Sequence, residues 1–167
     1  MSFIFVYYLD NCMAYYILSS MSKQITPVEE YPELAARLSL ATSLFFKRED
    51  LHPLGSHKGR SIPVMIDLYV KEDHTQFAIS GSGNASIAAA LHIQKLGNVS
   101  LKIFVGKNIN TEKLDKLESL ANEHISIEQV DRPKQTMHQL DKSGAAKALR
   151  QSTDDNALLG YKSLADE

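Results

Sequence analysis

Apolar residues along the chain recur with two different periods. Tyr31, Leu34, Ala35 and Leu38 fall at helical spacing. The preceding Thr26-Pro27-Val28-Glu29 has the form of a capping box, with proline at the first helical position and glutamate at the third, so a helix is predicted to open at Thr26. Ser43 to Lys47 reads as a short strand, and Arg48 to His57 as a polar loop holding Pro53 and Gly55. A helix is predicted from Lys58 towards Val70, with Pro63 tolerated in its opening turn. Beyond it the pattern alternates. Gln76 to Ser80, Ser100 to Val105 and Ile125 to Val130 read as strands. Asn84 to Leu96 is a helix so rich in Ala and Ile that most of its surface must be covered. Leu114, Leu117 and Leu120 mark the inner face of the next helix, Met137, Leu140 and Leu149 lie on a following one, and Asn156 to Glu167 is helix-like. Strands alternating with helices of this length imply βαβ units: an α/β fold with a parallel sheet and helices on both faces. No internal repeat or low-complexity linker interrupts it.

One stretch departs from the pattern. Phe3 to Leu18 is apolar and aromatic but is broken by Asp10 and Asn11. It is shorter than the ~20 residues a spanning helix needs, and it has neither a basic leader nor a small-residue cleavage site. Residues 1–20 therefore read as an extra N-terminal segment upstream of a start at Met21, in preference to a membrane anchor or signal. The 167 residues allow one well-cored domain and fall short of two. A formal net charge of -2 gives no electrostatic reason to expect nucleic acid or an anionic membrane as partner. Cys12 is the only cysteine, which rules out an intrachain disulfide or a cysteine-rich metal site and makes the cytoplasm the natural expectation.

Two stretches can carry chemistry. In the first, Lys47 to Arg60, a Gly-Ser turn leads into the helix that begins near Lys58. Unpaired amides at a helix N-terminus disfavour an ammonium and favour a neutral, nucleophilic amine, and they suit a phosphate or carboxylate. On spacing alone, a surface lysine in a charged loop stays open as the plainer alternative. A Walker A loop does not fit, because Gly59 follows Lys58 where Ser or Thr is required. The second stretch, Ser80-Gly81-Ser82-Gly83-Asn84-Ala85-Ser86, lies between a strand and a helix and forms an anion seat. It nearly matches the dinucleotide fingerprint, but Ser86 replaces the third glycine and Val105 to Asn108 lacks the acidic residue that reading wants.

Together these motifs resemble the tryptophan-synthase-β-like superfamily, the fold-type II pyridoxal-phosphate enzymes that include threonine synthase, threonine and serine dehydratases and cysteine synthase. The resemblance runs from Thr26-Pro27 through KREDLHPLGSHKGR and SGSGNAS to Gly160-Tyr161-Lys162. It implies that Lys58 carries pyridoxal 5'-phosphate and, once freed, acts as the base at the substrate's α-carbon. It implies that Asn84 hydrogen-bonds the cofactor's phenolic oxygen, that Ser82, Gly83, Asn84 and Ala85 receive the carboxylate of an amino-acid substrate, and that Ser56 and His57 shape the pocket. The reaction implied is elimination or replacement, threonine synthase-like or ammonia-lyase/dehydratase-like. Ala85 stands where dehydratases often have His, which weakens that branch, and Gly59 stands where other residues are frequent.

The family's glycine-rich phosphate loop and its partner for the pyridine nitrogen belong to a C-terminal half. The expectation is thus an incomplete architecture, the N-terminal half of the fold, stopped within a helix and inactive alone. Residues 21–79 would form the part with the cofactor lysine and residues 80–167 a βαβ small domain. Family members are commonly dimers, which makes a homodimer one expectation for the longer form and leaves its oligomeric state open. Plainer readings attach to the other polar residues. Arg48, Glu49 and Asp50 hold their loop by ion pairs, His52 and His57 are loop hydrogen-bonders with no metal spacing, Lys113 to Glu118 is a solvated face, and Tyr161 is a packing residue. A Rossmann-type nucleotide domain and a non-catalytic remnant are the two competing readings.

Overall fold

The computed structural model describes residues 25–167. Residues 1–20, read above as an extra segment, and the start at Met21 lie outside the described residues. The first regular element is a strand, not a helix: β1 (Val28–Glu30) pairs antiparallel with β2 (Phe45–Lys47), and helix α1 (Pro32–Arg37) begins only after it, with Pro32 in its first turn. The capping box is thus overturned, because both of its side chains are engaged elsewhere. Thr26 Oγ1 donates to Glu49 at 2.6 Å, and the Glu29 carboxylate accepts from Tyr31 at 2.9 Å and from Arg48.

After a 3-10 turn (Glu49–Leu51) comes helix α2 (Lys58–Lys71), which buries nearly all of its residues from Gly59 to Tyr69. Pro63 sits in its second turn, not the opening one, and the packing of Ile62, Val64, Met65 and Ile66 holds the helix across it. The remainder follows the predicted alternation: β3 (Gln76–Ser80), α3 (Asn84–Leu96), β4 (Ser100–Gly106), α4 (Thr111–Glu118), β5 (Ile125–Val130) and α5 (Pro133–Lys142). A two-residue strand, β6 (Lys147–Ala148), and helix α6 (Asn156–Asp166) complete it. Leu149 is not on a helix. It follows β6, and its N–H donates to Ala78 O at 2.8 Å.

The four strands form one parallel sheet in the order β5-β4-β3-β6. Side-chain alternation sorts the two faces. Phe77, Ile79, Leu101, Ile103 and Val105 join α2 and α3 in the larger core, together with Leu117, Leu149 and Ala157. Ala78, Phe104 and Ala148 face the other way, onto Met137 of α5. Each fully buried Phe or Ile contributes roughly 1.5–3 kcal/mol, so these positions carry the sheet. Helix α2 packs against both α3 and α6. The strand order reverses between β3 and β6, and in open α/β sheets the crevice at such a point, outside the carboxyl ends of the strands, is where ligands bind.

Candidate functional site

The loop between β2 and α2 is anchored by charge. Arg60, whose side chain is 3% exposed, donates to both Glu49 oxygens at 2.7 and 2.8 Å and to Glu167 at 2.7 Å. Lys47 joins Glu167 from the other side and reaches Thr26 O at 2.6 Å. Arg60 first, with Lys47 after it, pulls the Glu167 carboxyl down to about 2, and Arg60 likewise holds Glu49 below the usual carboxylate range. Arg48 pairs with Asp50 at 2.7 Å and with Glu29. Lys47, Arg48, Glu49 and Asp50 are therefore a clamp on β1, β2, α2 and α6, with the Glu49 and Lys47 pairs reaching well outside their own loop.

Within that clamp the turn into α2 is tightly set. Ser56 is buried, and its Oγ accepts the Lys58 N–H at 3.2 Å, so it satisfies the first amide of the helix from one residue before the N-cap, His57. His52 Nδ1 accepts the Leu54 N–H at 3.1 Å, which requires that nitrogen to be unprotonated. Burial, with Arg60 second, lowers the basicity of His52 in the same direction. Gly59 is explained by the same contact, since a Cβ there would lie 2.3 Å from His52 Nδ1 and 2.7 Å from Leu54 Cβ. His57 is exposed, with its ring stacked 6.1 Å from that of Tyr161 at 26°.

Lys58 is the first residue of α2, half-buried, and its Nζ donates to Gln151 Oε1. Gln151 stands three residues beyond the Ala78–Ala148 pair on the β6 side, and Gly81 stands three residues beyond it on the β3 side. The amine therefore reaches the carboxyl edge of the sheet at the point where the strand order reverses. Gly81 has φ +131°, a conformation strained for any residue with a side chain, and its O accepts from Ser86 Oγ at 2.6 Å, which fixes the turn. The N–H groups of Ser82, Gly83, Asn84 and Ala85 donate to nothing among the described residues, and neither do the side chains of Ser82 and Asn84. Gly83 and Asn84 are exposed. Such unbonded donors at the N-terminus of α3 are the kind of group an anion can engage.

Gly81 and Ser82 also border a cleft of about 480 Å³ over the ends of β4 and β5, lined further by Lys107, Asn108, Asn110, Lys113 and Asp131. Lys58 and Asn84 are not among its walls. Among the described residues the only carboxylate on that cleft is Asp131, past β5 and paired with Lys107 at 3.0 Å, not the acidic residue after β4 that a dinucleotide site uses. Among the described residues no group of three or more His, Cys, Asp or Glu could hold a metal ion, and no helix is long and apolar enough to cross a membrane. Sequence reasoning missed Gln151 and undervalued Tyr161, whose hydroxyl accepts from Gln151 Nε2 at 2.9 Å and from Ser61 Oγ at 3.1 Å. No periodicity marks Gln151. It follows a strand of only two residues.

The family described as pyridoxal-phosphate dependent enzyme matches residues 20–167. No curated protein sequence matches the chain. Among solved structures, a pyridoxal 5'-phosphate-dependent aspartate racemase is similar at 23% identity with a TM-score of 0.76, covering 92% of this chain and 48% of its own. Threonine deaminase isoform 2 from Solanum lycopersicum is similar at 19% identity and TM-score 0.73, covering 94% of this chain and 45% of its own. Diaminopropionate ammonia lyase from Escherichia coli, in apo form, is similar at 19% identity and TM-score 0.71, covering 87% and 46%. The chain thus spans just under half the length of these structures and shares their fold over that half.

Proposed function

The chain belongs to the pyridoxal-phosphate dependent enzyme family, and from that membership we propose that it is the lysine-bearing part of an enzyme performing elimination or replacement on an amino acid. Pyridoxal phosphate, the family's cofactor, supplies when bound an electron sink for charge developing at a substrate's α-carbon. The residues present fit that group. Lys58 offers a half-buried amine at a helix start, and the unbonded amides and side chains of residues 82–85 offer donors to an anion on the same sheet edge.

In this reading Lys58 holds the cofactor and then takes the α-proton on Nζ as general base. Asn84 donates to the cofactor's phenolic oxygen. Ser82, Gly83, Asn84 and Ala85 seat the substrate carboxylate, while Ser56 and His57 wall the amine. Ala85 in place of the histidine common in dehydratases favours the threonine synthase-like end of the range. The observation that carries the reading is the placement of Lys58 Nζ on Gln151, at the end of the strand beside the one that feeds the free amides.

The test uses the 167-residue chain incubated with pyridoxal phosphate, reduced with borohydride and mapped by peptide mass spectrometry. The pyridoxyl group is expected chiefly on Lys58 and is expected to vanish from that peptide in Lys58→Ala. Label spread over exposed lysines such as Lys113 and Lys134, with none on Lys58, overturns the reading.

A further inference from the structure

The amine of Lys58 is held by a neutral group, and the chemistry of the contact fixes its direction. An ammonium has no acceptor site, so the side-chain oxygen of Gln151 must face Lys58 and its NH₂ must face Tyr161. Tyr161 Oη accepts that NH₂ at 2.9 Å and the Ser61 hydroxyl at 3.1 Å, and turning the amide over would set its NH₂ against the Lys58 ammonium and lose that bond. The start of α2, the chain after β6 and the middle of α6 thus converge on one side-chain amide. The titratable groups bonded to this set or next to it in the chain are Tyr161 on α6, His57 before Lys58 and Arg150 before Gln151. No carboxylate pairs with Lys58 among the described residues.

A carboxylate at position 151 could make the same contact, but its charge within hydrogen-bond distance would stabilise the protonated amine. The unprotonated amine is the nucleophile. We propose that Gln151 is a positioning residue that holds the Lys58 amine at the carboxyl edge of the sheet through a contact that places no negative charge beside it, with Tyr161 fixing the orientation of the amide. This rests on the reading of Lys58 as the cofactor lysine.

The experiment compares the full chain with Gln151→Glu, which keeps the shape and adds charge, and Gln151→Met, which keeps the volume and removes both bonds. Trace acetylation across a pH series, read peptide by peptide, gives the pH of half-maximal reactivity at Lys58, with exposed Lys134 as internal reference. In Gln151→Glu this midpoint is expected to rise by about one unit or more, roughly a tenfold loss of reactivity on the acid side, while Lys134 is unmoved. In Gln151→Met no such rise is expected, and the preference of pyridoxal phosphate for Lys58 over Lys134 falls about fivefold or more. A merely structural role would alter both variants alike. Equal midpoints for wild type and Gln151→Glu overturn the proposal, and so does undiminished Lys58 preference in Gln151→Met. Because acetylation needs no pyridoxal phosphate, failure of the wild type to take the cofactor at Lys58 would refute the cofactor reading while the effect of residue 151 on the amine is still measured.

Discussion

Gly59 and Gly160 show how much of the site rests on atoms that are missing. A Cβ on Gly160 would lie 2.2 Å from Arg60 O and 2.6 Å from Ser61 Cα, both backbone, so α2 and α6 meet at a distance only glycine allows. At Gly59 the obstacle is the His52 ring, which cannot swing aside without surrendering its bond to the Leu54 N–H. Alanine ordinarily stabilises a helix interior by up to ~1 kcal/mol over glycine, but here overpacking at about 1–3 kcal/mol outweighs it. Gly59→Ala is expected to lower stability by about 1–2 kcal/mol in urea denaturation. An unchanged or higher midpoint would show that the loop yields freely. The sequence presented Gly59 only as a departure from the family's usual pattern, because its neighbour His52 is found by following the loop in space.

The elements are joined by charge as well as by apolar packing. Arg60 on α2 ties Glu49 before it to Glu167 at the end of the chain, and Lys47 closes the network from β2. Removing one member of a buried ion network leaves its partners uncompensated, at a cost of about 3 kcal/mol or more, so Arg60→Ala is expected to destabilise the chain by about that amount. The pH sign follows from the carboxyls. Glu167 at about 2 in the folded state and near its ordinary value when unfolded means that the unfolded chain binds more protons between those values. Stability contributed by this pair is therefore full above about pH 4.5 and is lost as pH falls towards 2. Denaturation midpoints measured from pH 6 down to pH 2 should show that decline in the wild type and a flatter profile in Arg60→Ala. The same network explains the misplaced first helix. Thr26 and Glu29 satisfy a local rule for a helix start, yet Glu49 and Arg48, some twenty positions on, claim their side chains.

At the scale of the whole molecule, the reversal of strand order at β3 and β6 decides which loops meet. It places the turn after β3 beside the segment after β6, and α2 delivers Lys58 to that edge. The chain covers under half the length of the solved structures it resembles, and the donors it offers an anion lie on one short turn. Phosphate binding draws much of its strength from several charge-assisted hydrogen bonds. The 167-residue chain is therefore expected to take pyridoxal phosphate weakly. Titration should raise no visible band that persists through desalting, and a persistent band at stoichiometric cofactor would contradict this.

Much of this protein was legible before any coordinates. The spans Gln76–Ser80, Asn84–Leu96 and Ile125–Val130 follow from the residue pattern, and that of β4 to within one residue, because burial on a sheet or helix face imposes a repeat that residues record one by one. Lys58 and the glycine turn were visible for a similar reason, since a helix start and a tight turn are local events with local signatures. The strand Lys147–Ala148 and the roles of Gln151, Tyr161 and Arg60 were not visible. A two-residue strand has no period, and a hydrogen bond spanning 93 positions, as between Lys58 and Gln151, leaves no mark on the residues near either end. Which amine is held, and by what, was decided only when the sheet brought distant stretches of chain to one edge.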